Sequence, residues 1–383
     1  MNALSNLKIL DFSTLLPGPF ATMTLADMGA DVIKISSPSK HDLVIDDGPQ
    51  IDGRTPNLLW LNRNKKTLAL NLKTKEAIEI VKELVKEYDI VLEQFRPGVM
   101  KKLGLGYEDL KAINPNIIYC SISGYGQTGP YKDRPSHDIN YLARSGMMEF
   151  SGSKEEGPKL YGMQIGDLAG GAQNACIAIL AAVNYRSVTG KGQYIDISMC
   201  DSLTPYNSMA GTEALATGVL PTREGALLNG GSIYDFYRTK DDRFLSIGAL
   251  EPKFYSAFCE VLGIESESAT DIAAKEVVKE KIASKTLNEW KEIFKDVEAC
   301  VEPVLNINEL MEDEQIKERE LIVELDVAGK KVKQFANPIK FSETKQEYKF
   351  AGKKIGSDNR EILKSLGYDD KKIEELECKD VFK

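Results

Sequence analysis

Two histidines stand in a chain of 383 residues, and one of them, His137, lies in "SHDINYLARSG" beside Asp138, just ahead of a stretch with helical periodicity. A proton carrier that scarce, next to a carboxylate, is a candidate acid or base. The plainer alternative is a helix-start residue held by a structural hydrogen bond, with Ser136 or Asp138 as cap. A second candidate occupies another loop-to-helix junction, Asp167 in "QIGDLAGGA". It reads either as an N-cap among packing glycines or as a functional carboxylate. A reaction that takes a proton from one face of a carbon and returns one to the other needs two groups, one on each side. Imidazole carries protons near neutrality without adjustment. An aspartate at a helix N-terminus is biased towards its anion, so Asp167 is expected to be the resting base. Asp138, or Glu251 in "GALEPKF", would orient and charge the imidazole. Taken alone, Glu251 reads as a surface carboxylate before a helix-starting proline.

Basic residues gather in two loops. "LNRNKKT" carries Arg63, Lys65 and Lys66, and "FRPGVMKKLGLG" carries Arg96, Lys101 and Lys102. Each cluster is either a solvated face or, since both lie beside predicted strands, part of one pocket for an anion such as phosphate. "GYGQTG", Gly124 to Gly129, matches GxGxxG after a strand, but a dinucleotide site needs a helix to begin at that turn. Pro130 and "YKDRP" follow instead, which is loop composition. Gly124 and Tyr125 are expected in a loop whose backbone either approaches a ligand closely or makes simple turns.

The elements that must position these residues alternate. "LKILDF", a Pro/Gly loop, "FATMTLADMGA" and "DVIKIS" form a strand–helix–strand unit with parallel strands. "TLALNL", "DIVLEQF", "NIIYCSISGYG" and "GQYIDISM" read as further strands, "KTKEAIEIVKELVKEY" as an amphipathic helix, and "GDLAGGAQNACIAILAAVNYRS" as a long buried helix rich in small residues. Residues 1–205 are therefore expected to form an α/β layer with an open sheet. After a linker at 206–224 the character changes. "IYDFYRTKDDRFLSIGAL" predicts a hairpin turning at Lys240–Asp242, with helices after it, so a smaller α+β domain is expected over 225–325. "VELDVAGKKVKQFANPIKF" predicts another hairpin, and the tail a pair of helices.

The length suits two domains. A net charge of −9 argues against nucleic acid or an acidic membrane surface as partner, without forbidding a local basic pocket. No apolar run is expected to be long enough to cross a membrane, and the N-terminus shows no secretory pattern. Six dispersed cysteines without a CxxC pair predict neither disulfides nor a metal site, and Cys176 and Cys200 read as core thiols; a reducing, cytoplasmic location is expected.

Taken together and in order, "LDFSTLLPGPFATMTLADMGADVIKI", "NRNKKTLALNLK", "FRPGVMKKLGLGYEDL", "SGYGQTGPYKDRPSHDINYLARSG", "GDLAGG" and "GALEPKFY" resemble the family III CoA-transferase (CaiB/BaiF-like) superfamily, and within it the α-methylacyl-CoA racemase branch. The resemblance runs over nearly the whole chain. It implies an interlocked homodimer with a Rossmann-like large domain, a small domain and a C-terminal segment, 326–383, that returns to the large domain. The active site would lie between the large domain of one subunit and the small domain of the other. No permanent cofactor is implied; coenzyme A arrives as part of an acyl-CoA thioester. His137 and Asp167 match the two bases, and Glu251 the residue that holds the histidine. Asp138 and Tyr141 match accessory positions. Arg63, Arg96 and Lys102, with Lys65 beside them, fall where the family has basic residues near CoA phosphates and pantetheine. Ser37 departs from the pattern, because racemases often carry an arginine before that proline; Lys34 or Lys40 would compensate. In the CoA-transferase branch the same aspartate, here Asp167, attacks an acyl-CoA, passing through a mixed anhydride to an enzyme–CoA thioester. That chemistry has no need of His137 or Glu251. A binding protein without turnover is a third possibility, and it would not need paired proton carriers at all.

Overall fold

The computed structural model describes residues 2–266 and 268–383. The chain folds as two units: one takes Met1–Leu142, Met163–Leu203 and Lys317–Lys383, the other Ala143–Gly162 and Thr204–Ile316.

The first unit begins with alternating elements: β1 (Lys8–Asp11), α1 (Pro17–Asp27), β2 (Asp31–Ser36), α2 (Pro56–Leu61), β3 (Lys65–Ala69), α3 (Lys75–Leu84), β4 (Ile90–Glu93), α4 (Val99–Lys102), α5 (Tyr107–Lys111), β5 (Ile118–Ser123) and α6 (Asp138–Arg144). A long helix then runs from Gly166 to Thr189. Its first stretch, Gly166–Gln173, is π-helical, and Asn174–Thr189 is α7. β6 (Tyr194–Ser198) and α8 (Met199–Leu203) close this part. The strands form one parallel sheet in the order β3-β2-β1-β4-β5-β6. This is the doubly wound order, and the direction of winding reverses between β1 and β4. Open sheets of this kind carry ligands beyond the carboxyl ends of the strands at that reversal. β4 and β5 are buried along their whole length, as central parallel strands with both faces covered must be.

Sequence explains the local elements. Thr74 caps α3 by accepting the Ala77 N–H, and Ala77, Ile80, Val81 and Leu84 make its buried stripe. That stripe joins a core with Leu10, Ile33, Leu68 and Val91 from the strands. The helix Gly166–Thr189 is long and apolar enough to cross a bilayer by length and composition, contrary to the reading that no such run exists. In this fold it packs on α1, β5 and β6. Only one side is buried, through Ala175, Ile179 and Ala182, while Ile177 and Val188 are 66% and 80% exposed.

The second unit contains α9 (Ser208–Thr217), β7 (Asp235–Arg238), β8 (Phe244–Ile247), α10 (Pro252–Leu262), α11 (Ile272–Ile282), α12 (Leu287–Phe294), β9 (Val301–Pro303), α13 (Ile307–Glu312) and, at its end, α14 (Glu314–Glu318). β7 and β8 are the expected hairpin, and β9 extends it to three antiparallel strands. Its own core gathers Tyr237, Leu245, Phe258, Val278 and Trp290. The chain then re-enters the first unit as the hairpin β10 (Ile322–Val327) and β11 (Lys330–Phe335), followed by α15 (Asn359–Ser365) and α16 (Asp370–Cys378).

Two basic residues read from sequence as lining an anionic pocket are instead fully buried ion-pair partners. Arg63 is 0% exposed; its Nε and Nη2 bind the Asp27 carboxylate at 2.9 and 2.5 Å, and Nη1 donates to the Phe335 carbonyl at 2.6 Å. Lys65, inside β3, donates to Asp11 at 3.3 Å and to the Pro19 carbonyl at 2.9 Å. Asp11 also accepts from Lys34 and from the hydroxyls of Ser13 and Thr22. Burial alone would raise the pKa of Asp11, but the two lysines and two hydroxyls outweigh it and hold the group well below the usual carboxylate range. Burial lowers Lys65 to about 7 against the opposing pull of Asp11. Neither Arg63 nor Lys65 offers its charge to solvent. Each braces the turns around β1 and α1.

Replacing Arg63 with Met strands the Asp27 carboxylate in the interior. The expected loss is about 3–5 kcal/mol of stability, visible as a large drop in the urea midpoint. Affinity of the remaining folded protein for anionic ligands should be unchanged.

Candidate active site

β5 ends at Ser123, and the chain runs on through Gly124–Gly129 without starting a helix; the next one is α6, at Asp138. The GxGxxG match is therefore a loop and not a dinucleotide-binding turn. Its first glycine has a packing reason. A Cβ at Gly124 would lie 2.5 Å from Cε1 of Tyr141, so the ring lies directly on the glycine. Tyr125 meets the same ring edge-on at 5.6 Å. Tyr141 is buried, and its hydroxyl donates to the Ser136 carbonyl at 3.0 Å. It is thus turned into the protein.

His137 is exposed at the entry to α6. The next residue, Asp138, reaches across to the start of the π-helix, where its Oδ1 accepts the Asp167 N–H at 3.0 Å. The Gly166 amide also bonds to this carboxylate. A Cβ at Gly166 would stand 2.8 Å from Asp138 Oδ1, so glycine is what admits the carboxylate. Burial raises the pKa of Asp138 against these two hydrogen bonds. The bridge fastens Asp138, the residue after His137, to the start of the helix that carries Asp167. It also engages Asp138 with two backbone amides.

Asp167 is half-buried in the first π-helical turn. Its pKa is pushed up to about 7, first by burial and then by the negative charge of Asp138. The direction is opposite to the lowering expected of a carboxylate at a helix terminus. The amides at that terminus are taken by Asp138, so they cannot favour the Asp167 anion, and desolvation prevails.

Glu251 belongs to the second unit. It is the exposed N-cap of α10, directly before Pro252, and its side chain makes no capping bond. Tyr161 lines a cavity of ≈ 740 Å³ in the same unit, together with Leu228, Tyr234 and Phe236.

At the carboxyl ends of β1, β2 and β3 lies a cleft of ≈ 400 Å³. Phe12, Leu15, Phe95, Val99 and Leu103 give it apolar walls, and Lys34, Lys40 and Lys73 bring positive charge. Lys34 is buried at its side; Lys40 and Lys73 reach further out. Arg96 and Lys102 are exposed on the chain that runs from Phe95 through α4, next to wall residues. Ser37 lines the same cleft.

The sequence reading did not single out Lys73, Asn140 or Glu93. Lys73 follows a strand terminus, which is the one signal it gives. Glu93 ends β4 as a buried carboxyl that accepts from Ser121 Oγ at 2.5 Å and from the Phe95 N–H at 2.7 Å. Burial pushes it up to about 7, and Asp196 adds to this against those two hydrogen bonds. An acidic residue closing an otherwise apolar strand was the available clue.

Comparison with known proteins gives concordant results. The family model described as CoA-transferase family III matches residues 4–359. The chain is 33% identical to a human alpha-methylacyl-CoA racemase, over 98% of this chain and 96% of that one. It is also 33% identical to a mouse succinyl-CoA:glutarate CoA-transferase, over 100% of this chain and 90% of that one. Among solved structures, a CaiB/BaiF family protein from Brucella suis superposes with a TM-score of 0.85 at 28% identity, covering 96% of this chain and 100% of that one.

Asp138→Asn removes the negative neighbour while keeping an oxygen that can accept the Asp167 N–H. The Asp167 pKa should fall from about 7 yet stay above an ordinary aspartate, since burial is the larger cause. Carboxyl carbon-13 NMR titration, with Asp167→Asn to assign the signal, reads this directly. An unmoved titration would mean that Asp138 contributes no charge to the site.

Proposed function

Because the chain belongs to CoA-transferase family III, we propose that it is a racemase or epimerase of 2-methyl-branched acyl-CoA thioesters, working by two-base proton transfer through an enolate. The observation that carries this reading is the half-buried carboxyl of Asp167, hydrogen-bonded through its own amide to Asp138, the residue after His137, with burial pushing its pKa up to about 7. Racemisation runs both ways, so each base must be a base in one direction and an acid in the other. A carboxyl raised into the range where imidazole ordinarily titrates meets that need. An ordinary aspartate would be a poor acid at neutral pH.

The thioester carbonyl acidifies the Cα–H. For one enantiomer Asp167 takes the proton and His137 supplies one from the opposite face; for the other enantiomer the roles exchange. Backbone N–H groups at the start of α6 are assigned to the enolate oxygen, where fixed donors lower the barrier. Glu251 is assigned to hold the imidazole, contributed by the partner subunit of an interlocked homodimer. The exposed apolar side of the Gly166–Thr189 helix supports such a dimer. The ≈ 400 Å³ cleft is proposed to take the CoA handle, with Lys40, Lys73, Arg96 and Lys102 as its cations in place of the buried Arg63 and Lys65.

A CoA-transferase using Asp167 as nucleophile is the second reading. Relatives named as CoA-transferases, at the same identity as the racemase, favour it. Incubation of one enantiomer of a 2-methylacyl-CoA in D₂O, with and without a free acid acceptor, separates the two. Deuterium at Cα with loss of optical purity and no acceptor is the expected result. Transfer of CoA to the acid without exchange would establish the transferase. His137→Ala and Asp167→Asn should each lower racemisation by ~10²–10⁴-fold. Each variant should still exchange the α-proton of the one enantiomer whose proton the surviving base removes.

A further inference from the structure

The peptide unit that joins Ser136 to His137 is held at both ends by side chains of the turn that follows it. Its N–H, on His137, donates to Oδ1 of Asn140 at 3.0 Å. Its C=O, on Ser136, accepts the Tyr141 hydroxyl at 3.0 Å. The His137 carbonyl meanwhile accepts the amides of Asn140 and Tyr141 at 2.9 and 3.3 Å. Both peptide planes that flank the His137 Cα are therefore fixed. The Tyr141 end is anchored in turn, since its ring is buried and pressed against Gly124. Asn140 is exposed, so neither burial nor packing explains it.

We propose that Asn140 and Tyr141 are positioning residues for His137: together they clamp the Ser136–His137 peptide and so fix the direction from which the imidazole meets its ligand. An exposed side chain at a loop-to-helix junction would otherwise swing with its backbone. Misplacement of a reacting group by about 1 Å costs on the order of 10²-fold in rate. The clamp supplies rigidity to the backbone from within a six-residue turn, and leaves the imidazole ring itself to be held by the group assigned to it above. This rests on the reading of His137 as a base, and the test separates the two ideas.

Four variants are compared in the full-length protein: Asn140→Ala, Asn140→Asp, Tyr141→Phe and His137→Ala. Asn140→Ala and Tyr141→Phe should each lower kcat for α-proton exchange about 10- to 100-fold with KM nearly unchanged, and both together should cost little more than either alone. Asn140→Asp keeps an acceptor oxygen and should restore most of the rate. The imidazole NMR signals of His137, assigned by their loss in His137→Ala, should shift in Asn140→Ala and Tyr141→Phe and return in Asn140→Asp. Parental kcat in both clamp variants, or a loss that Asn140→Asp does not repair, overturns the rate effect. Unshifted imidazole signals overturn the clamp itself, whatever the rates. Parental activity in His137→Ala strikes the base reading instead, and the NMR arm still decides whether the peptide is pinned.

Discussion

A single carboxylate, that of Asp138, ties the candidate site together. It closes on the amides of Gly166 and Asp167, so two chain segments separated by a long excursion into the second unit are fastened at one point. The same contact works electrostatically, because a negative charge held there opposes ionisation of Asp167. The contact thus sets position and adds to a proton affinity that burial raises first. The π-helical start of the long helix belongs to this arrangement. Such wide turns are uncommon and tend to mark functional sites, and here one begins at the amides that Asp138 occupies.

A second constraint lies beneath the cleft. Asp11, Lys34 and Lys65, with Asp27 and Arg63 beside them, place five ionisable side chains in the interior of the first unit. Buried ions cost much desolvation and are tolerated only with close partners. Each partner here belongs to a different turn or strand end: Ser13 and Pro19 around the start of α1, Asn62 after α2, Phe335 at the end of β11. Ser13 and Pro19 follow the carboxyl end of β1, near which the cleft opens, whereas Asn62 and the Arg63–Asp27 pair lie just before β3 and β2, at the amino edge of the sheet. Arg63 and Lys65, which the sequence offered as ligand groups, act inside this buried network.

Much of the fold was legible because buried parallel strands are short apolar runs and the helices between them keep a clear stripe. "DIVLEQF" and "NIIYCSISG" became β4 and β5, and the hairpin at Lys240–Asp242 formed where its polar turn predicted. The importance of the "SHDINY" and "GDLAGG" junctions was readable too, since scarce or charged residues at helix starts stand out against packing residues. What sequence could not convey was environment. Arg63 and Lys66 look alike in "NRNKKT", yet one is sealed against Asp27 and the other pairs with Glu361 at the surface. Only a partner far away in the chain distinguishes them. The proton affinity of Asp167 was hidden for the same reason. A helix start argues for the anion, and burial with a second carboxylate, both products of tertiary structure, reversed it.

The order in which the units can mature follows from how the chain is threaded. Ile362, Leu363, Ile373, Leu376 and Val381 share one core with Leu10, Ile33 and Val91. The Asp358 carboxylate accepts the Thr67 N–H, and the Val381 carbonyl accepts that of Asn71. During synthesis the sheet must wait, its apolar face incomplete, until those late residues emerge from the ribosome. The second unit, almost contiguous, can pack in the interval. Assembly of the molecule therefore runs from its middle outward, and the vulnerable species is a nascent chain whose parallel sheet is still open.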